Sequence, residues 1–399
     1  MNKIEKIIKA DLCLGCGLCE SISTSSNCSM VLEPNGFYRP DFKKEIPAET
    51  IDSILHCCPG IRIKNDKKNS GVWGEVLQIN EAWSTDPTIR KKGSSGGIIS
   101  SLAIFLLQSK LVDGILQVGK SDNHYLYNHL KISRTREEVI RNASSRYAPA
   151  LVFDRLKSIL DESSDKYAFV GKPCDIAGIK NFVAQFPKYE DRIIYHLSIF
   201  CAGMPSYNGT EKLIKSSGNP DKPIDLKYRG DGWPGYFEAK FKDQSTFKVS
   251  YNDSWGNVLG KHLGMRCKIC PDGIGLLADI VAGDSWNTKD GYPDFEESDG
   301  RSFVLIRNEK GANLFNNALN QARIEATNLD VSKIADIQNY QYQRRLLAGY
   351  RIFAIQLLTG KLLSFKNLGV YQLAIKANIL TGFKNMIGTA KRMILNKTA

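Results

Sequence analysis

Residues 93–118 open with Gly93-Ser94-Ser95-Gly96-Gly97, continue as Ile98-Ile99-Ser100-Ser101-Leu102-Ala103-Ile104-Phe105-Leu106-Leu107, and resume after a polar link with Gly114-Ile115-Leu116-Gln117-Val118. A loop of small residues runs straight into an apolar stretch, so a buried helix is predicted over Ile98 to Leu107. A buried strand follows over Gly114 to Val118. Upstream, Val76-Leu77-Gln78-Ile79 reads as the preceding strand. Strand, loop, helix, strand is the alternation of α/β sequence. Downstream, Ile193 to Phe200, Tyr236 to Val249 and Phe303-Val304-Leu305-Ile306 read as further strands. The expected fold class is mixed α/β (α+β). A 399-residue chain also exceeds what one core usually encloses, so at least two units are expected.

The polar run Lys64-Asn65-Asp66-Lys67-Lys68-Asn69-Ser70-Gly71 closes a short segment rich in cysteines and turns. The expected units are a small module with its linker over residues 1–70, a two-part mixed α/β body over 71–190 and 191–336, and a helical tail over 337–399. With 42% hydrophobic and 24% charged residues, and no apolar run near the ~20 residues of a spanning helix, nothing is expected to cross a bilayer. Met1 to Lys6 carries no leader pattern, so a cytoplasmic protein is expected. There, clustered cysteines point to metal or redox chemistry rather than to disulfides.

Cys13-Leu14-Gly15-Cys16-Gly17-Leu18-Cys19 places three thiols at steps of three, and Cys57-Cys58-Pro59 follows at a distance. One tight loop of this kind can wrap a 4Fe-4S cubane, because its glycines turn backbone N–H groups toward the sulfurs. The set Cys13, Cys16, Cys19 and Cys58 is the candidate ligand group of a ferredoxin-like module, with Cys57 and Cys28 as substitutes for the fourth. A zinc knuckle is the alternative, although zinc favours pairs of pairs. Cys174, Cys201, Cys267 and Cys270 are scattered, and spacing alone leaves them as buried core thiols, a zinc ribbon or a redox CxxC. The loop Gly93 to Gly97 suits a phosphate or pyrophosphate at a helix start, with a plain N-cap turn as the other reading. The five histidines form no catalytic spacing.

Several stretches, in order along the chain, resemble the coenzyme F420 hydrogenase/dehydrogenase beta subunit family. They are the Gly93–Gly97 loop with its helix and Val112-Asp113-Gly114; Ala143-Ser144-Ser145-Arg146-Tyr147; Gly171-Lys172-Pro173-Cys174-Asp175-Ile176-Ala177-Gly178-Ile179; Phe200-Cys201-Ala202-Gly203; and Arg266-Cys267-Lys268-Ile269-Cys270 with Leu277-Ala278-Asp279-Ile280-Val281-Ala282-Gly283-Asp284-Ser285-Trp286. With the N-terminal loop, the likeness covers roughly residues 10 to 310. The resemblance implies an FAD and iron–sulfur oxidoreductase with a flavin-binding body. It implies that Cys174, Cys201, Cys267 and Cys270 hold a second 4Fe-4S cluster. It also implies that Ser94, Ser95, Gly96, Gly97, Arg146 and Tyr147 lie along the FAD, with Lys172 tuning it. Ferredoxin or another electron-carrier protein, and a small-molecule substrate or deazaflavin, are the implied partners. The hydrogenase subunit itself is shorter and lacks the N-terminal module, and modular relatives reduce other substrates, including chlorophyll-type pigments.

The net charge of +12 is local. Residues 337–399 hold ten Lys/Arg and no Asp or Glu, which leaves the rest of the chain close to neutral. Leu346, Tyr350, Phe353 and Leu357 recur at helical spacing, as do Phe383, Ile387, Ala390 and Ile394. Such stripes are either core-packing faces or the apolar side of a basic helix on an anionic surface, giving peripheral contact with the inner face of the membrane. No recognition motif for nucleic acid accompanies the charge, and none is expected to bind.

Overall fold

The computed structural model describes residues 3–289 and 292–395. Its centre is an eight-stranded sheet of β1 (Gln78–Ser84), β2 (Gly114–Lys120), β3 (Asn128–Ser133), β4 (Tyr167–Gly171), β5 (Ile193–Ile199), β6 (Ile280–Asp284), β7 (Ser302–Ile306) and β8 (Ile324–Asn328). The spatial order is β8-β1-β7-β6-β5-β4-β2-β3. The four neighbours β6, β5, β4 and β2 run parallel, and the outer strands pair antiparallel. Strands covered on both faces can be apolar at successive positions, as in Phe303-Val304-Leu305-Ile306 of β7.

The period of two sorts each strand between two cores. Leu116, Phe169, Val281 and Phe303 face one side, whereas Ile115, Ala168, Ala282 and Val304 face the other. Helix α1 (Ile98–Gln108) packs Leu102, Phe105 and Leu106 into the second core, beside Leu314 and Phe315 of the helix Glu309–Asn320. Helix α2 (Pro173–Gln185) packs Ile176, Ile179 and Phe182 into the first. That same core takes Leu12, Leu18, Ile61 and Ile63 from the N-terminal segment. It also takes Ile352 and Ile355 from helix α3 (Asn339–Thr359). Residues from both ends of the chain therefore meet under α2, and Arg62–Lys64 pairs in parallel with Ser364–Lys366.

The strand expected at Val76 to Ile79 lies further along, at Gln78–Ser84. Its polar residues obscure it in the sequence, but the sheet satisfies them: Glu81 accepts from Ser285 Oγ and from Arg301 Nη1 (3.1 Å). The Tyr236 to Val249 run is a hairpin, Phe237–Lys240 with Thr246–Val249, in a separate three-stranded sheet. The stripe on α3 begins buried at Leu346 and ends exposed at Phe353 and Leu357. A last helix, α4 (Ile379–Leu395), lies against α3 with Phe383 edge-on to Tyr350. Among the described residues no helix is long and apolar enough to cross a membrane.

Candidate cofactor and redox site

A cavity opens at the carboxyl ends of the parallel strands, bounded by Val118 of β2, Gly171 of β4, Ile199 of β5 and Ala282 to Asp284 of β6. This is where open parallel sheets place ligands, because successive helices diverge there. Ser94, Ser95, Gly97, Arg146, Tyr147 and Lys172 all line it. Gly96 does not. Its N–H donates to Ser302 Oγ (3.0 Å), and a Cβ there would stand 2.6 Å from Ala82 O, so it sits behind the wall.

Gly97 caps α1 in the left-handed region (φ 76°), where a side chain would also press on Ile89 O at 2.9 Å. The first N–H groups of α1 have no partner within the helix, and Ile98, Ile99 and Ser100 lie on the cavity wall. Ser95 Oγ donates to Arg301 O (2.7 Å), and Ser94 Oγ accepts from the Ser145 N–H (2.5 Å). These hydroxyls thus brace the loop. Arg146 donates through Nε to Asn128 Oδ1, but its Nη2 is buried without a partner. Burial lowers its pKa, the mark of a cation held away from water. Helix N–H groups and one unsatisfied guanidinium nitrogen on the same wall suit a pyrophosphate.

The far wall is aromatic. Arg229, wholly buried, stands 4.7 Å from the ring centre of Tyr251 and 5.2 Å from that of Trp286. It makes a two-pronged pair with Asp284, at 2.9 Å for both bonds. Tyr147 leans on Trp255, with ring centres 4.6 Å apart. Asp284 and Trp286 belong to a stretch that carries the family likeness but has no role assigned from sequence, whereas Arg229 and Tyr251 have no spacing signal. Gln338 and Gln341 also line the cavity, the latter from α3 with its Oε1 buried and undonated. Only tertiary packing brings them there.

Cys201, immediately after β5, lies on this wall as well. Cys174 sits in the first turn of α2, and Cys267 in the short helix Met265–Lys268 with Cys270 just beyond it. Burial pushes the Cys201 thiol up to about 12, with Cys267 and Cys270 adding and Arg344 and Lys172 opposing. For Cys174, burial and Asp175 raise the thiol well above its ordinary value, Lys172 opposes, and Cys201 and Cys270 add to the rise. These four thiols bear on one another across three segments. Arg344 of α3 closes the group, donating to Cys201 O (2.8 Å) and to Cys267 O. Burial works against its charge, and the thiols of Cys270, Cys201 and Cys267 hold it protonated. Lys172 Nζ meets Asp175 Oδ2 at 2.7 Å between cavity and thiols.

Cys13, Cys16 and Cys19 form the other group, on a loop whose Gly15 (φ 65°) and Gly17 (φ 90°) are left-handed. A Cβ at Gly15 would meet Tyr38 O at 2.7 Å, and one at Gly17 would meet Asp154 N at 2.6 Å, so both positions demand glycine. The Gly15 N–H points at Cys13 Sγ (3.4 Å). Burial raises Cys16 and Cys19 well above the thiol range, with Cys58 and Cys13 contributing to both. Cys58 is pushed up to about 11 by burial and Cys13, opposed by the Gly60 and Ile61 N–H groups and by Arg266. Cys57 turns instead toward Asn181 O (3.9 Å) on α2, and Cys28 is fully buried. Asn181 Nδ2 donates to Cys57 O (3.4 Å) and Arg62 O (3.1 Å), and Pro59 packs at Gly178. Helix α2 thus carries one thiol of the second group at its start and the Cys57–Pro59 segment of the first along its flank.

All ten cysteines are free thiols. Among the described residues, no group of three or more His, Cys, Asp or Glu side chains closes into a site for a metal ion. A cubane asks for a wider arrangement, four thiolates on four irons with N–H groups and a cation near the sulfurs, and it would deprotonate the thiols that it took up. Each group offers four half-buried thiols, and Arg266 beside the first and Arg344 beside the second supply that cation. In composition both fit.

Comparison with known proteins identifies the family. The family model for the N-terminal part of the coenzyme F420 hydrogenase/dehydrogenase beta subunit matches residues 79–157, and the model for its C-terminal part matches residues 164–332. The first thiol group lies outside both. The beta subunit of coenzyme F420 hydrogenase from Methanococcus voltae is 28% identical over 265 residues, covering 65% of this chain and 86% of that one. An uncharacterised protein of Methanocaldococcus jannaschii is 24% identical over 352 residues, covering 80% and 89%. A chain of the F420-reducing NiFe hydrogenase complex from Methanosarcina barkeri shares the fold, with a TM-score of 0.55 at 19% identity, covering 73% of this chain and 96% of that one.

Proposed function

The chain belongs to the coenzyme F420 hydrogenase/dehydrogenase beta subunit family of oxidoreductases, and from that premise we propose that it is an FAD and iron–sulfur enzyme passing electrons between two 4Fe-4S clusters, a flavin and a small-molecule substrate. The observation that carries the reading is the shared wall: Cys201 lines the same cavity as the α1 helix start and Arg146.

The flavin supplies hydride exchange on one side and single-electron exchange on the other. The chain's own residues do the positioning. The first turn of α1 and Arg146 Nη2 take the pyrophosphate, and Gly97 leaves room for its approach. Tyr147, Trp255 and Trp286 hold water off the far end. Lys172, kept charged by Asp175, puts a fixed positive charge between cavity and thiols. Cys174, Cys201, Cys267 and Cys270 hold the cluster beside the cavity. Cys13, Cys16, Cys19 and Cys58 hold the entry cluster; Cys58 is preferred over Cys57 because Cys57 faces Asn181. Relatives named as beta subunits of a coenzyme F420 hydrogenase and of an F420-dependent formate dehydrogenase make a deazaflavin the first substrate to try. Because both relatives are named as subunits, a partner protein is the first electron donor to try, with ferredoxin proposed beside it.

The test is anaerobic purification followed by iron, sulfide, zinc and flavin analysis of one sample. About eight iron, eight sulfide and one FAD per chain are expected from two cubanes and a flavin. Zinc without sulfide or flavin would overturn the reading and leave a zinc-stabilised binding module.

A further inference from the structure

Helix α4 presents a contradiction: most of its apolar side chains face solvent. At about 100° per residue, Ile379, Phe383, Ile387 and Ile394 fall in one stripe, with Leu380 beside it. Ile379 is 62% exposed, Leu380 73% and Ile387 63%, and Ile375 just before the helix reaches 83%. The opposite face is the one that packs. Gly382 seats against the Tyr350 ring, Thr389 and Met393 are buried, and Asn385 Oδ1 accepts from Arg351 Nη2 (2.8 Å). Within the stripe Phe383 touches α3, edge-on to Tyr350, and the remaining side chains form the free side of a helix already anchored there.

Its surroundings say what covers it. Lys384 and Lys391 border the stripe along one edge, and Lys376 stands exposed beside Ile375. No acidic residue occurs anywhere in residues 337–399. The arginines of α3 are spent inward, Arg344 and Arg345 on backbone carbonyls near the thiols, and Arg392 of α4 lies away from the stripe, so the charge that borders the stripe is carried by lysines. Lysine is depleted from the centres of protein–protein interfaces, whereas at a bilayer its flexible stem lies along apolar surface while the ammonium reaches phosphate. An outward apolar stripe bordered by lysines, on a C-terminal segment that contributes no acid of its own to repel phosphate, fits the plane of an anionic membrane.

We propose that α4 docks the protein peripherally on an anionic lipid surface, stripe down, with Lys384 and Lys391 at headgroup level. This holds whatever the body reduces, because the stripe lines neither the cavity nor either thiol group. The test is flotation of the full chain with vesicles. Phosphatidylethanolamine with a quarter phosphatidylglycerol is expected to retain at least about ten times more protein than pure phosphatidylcholine, a preference that high salt weakens. Ile387→Glu and Lys384→Glu/Lys391→Glu are each expected to lower retention about tenfold with unchanged melting temperature and flavin content, since these side chains face solvent. No retention on the anionic vesicles would overturn the proposal. So would a concentration-dependent dimer abolished by Ile387→Glu in the absence of lipid, which would assign the stripe to a second copy of the chain.

Discussion

The two thiol groups are built in opposite ways. The first takes three of its cysteines from seven consecutive residues, and two glycines with positive φ shape the loop between them. The second draws one cysteine from a helix start, one from a strand end and two from a distant turn, so it exists only once β4, β5 and α3 are in place. A local group tolerates changes in the body, whereas an assembled group inherits every weakness of the long-range packing. Their neighbours differ too: Cys201 shares a wall with the cavity, and Cys58 sits between Cys57 and Pro59, which rest on Asn181 and Gly178 of α2.

The sharpest test of that contrast substitutes one ligand in each group. Both Cys201→Ser and Cys16→Ser should lower iron by about half if each holds a separate cubane. Only Cys201→Ser should also strip flavin, measured on the same anaerobic samples; equal flavin loss in both variants would erase the distinction. Next in size is Arg344→Met, which removes the guanidinium from Cys201 O and leaves Cys267 O with backbone donors alone. A cost of about 2–4 kcal/mol in denaturant unfolding is expected for breaking such a buried charged contact, with the second group's iron lost first.

Asp279 tests the strands beneath the second group. Burial alone would raise its carboxyl, but it accepts from the His196 N–H (2.7 Å) and Asn308 Nδ2 (2.8 Å), and Lys310 Nζ stands 3.3 Å away. Together with the His196 ring, these partners hold it well below the usual carboxylate range. A depressed carboxyl contributes stability that is complete above its unfolded pKa, near 4, and is lost as pH falls toward the folded value. Asp279→Asn should therefore cost about 2 kcal/mol at pH 7, and the gap to the parent should narrow as pH drops below about 4. A pH-independent gap would mean that the charge plays no part. The smallest effect is expected from Asn181→Ala, which removes the bonds from α2 to Cys57 O and Arg62 O. About 1–2 kcal/mol should be lost in thermal unfolding, with both clusters retained.

Much of this is legible along the chain. The glycine loop, α1 and β2 declare themselves because small residues, a long apolar run and β-rich spacing are local signals. β1 lies beyond its expected place because Gln78, Asn80 and Glu81 look like loop until β7 and β8 pair with them. The basic tail reads as two amphipathic stripes that share one block of positive charge. The structure divides its charge, sending Arg344 and Arg345 inward to backbone carbonyls and leaving the lysines of α4 outside.

By itself the sequence determined the first thiol loop, the capped start of α1 and the class of the sheet, since each rests on backbone preferences within a few residues. Only the tertiary structure decided that Cys174, Cys201, Cys267 and Cys270 come near one another, that Gln341 reaches the cavity and Arg344 the thiols from α3, and that Arg229 stands over Tyr251 and Trp286. Those contacts join residues dozens to more than a hundred positions apart, and no local preference encodes them. They form because burying both faces of one sheet leaves the chain a single place to put each segment.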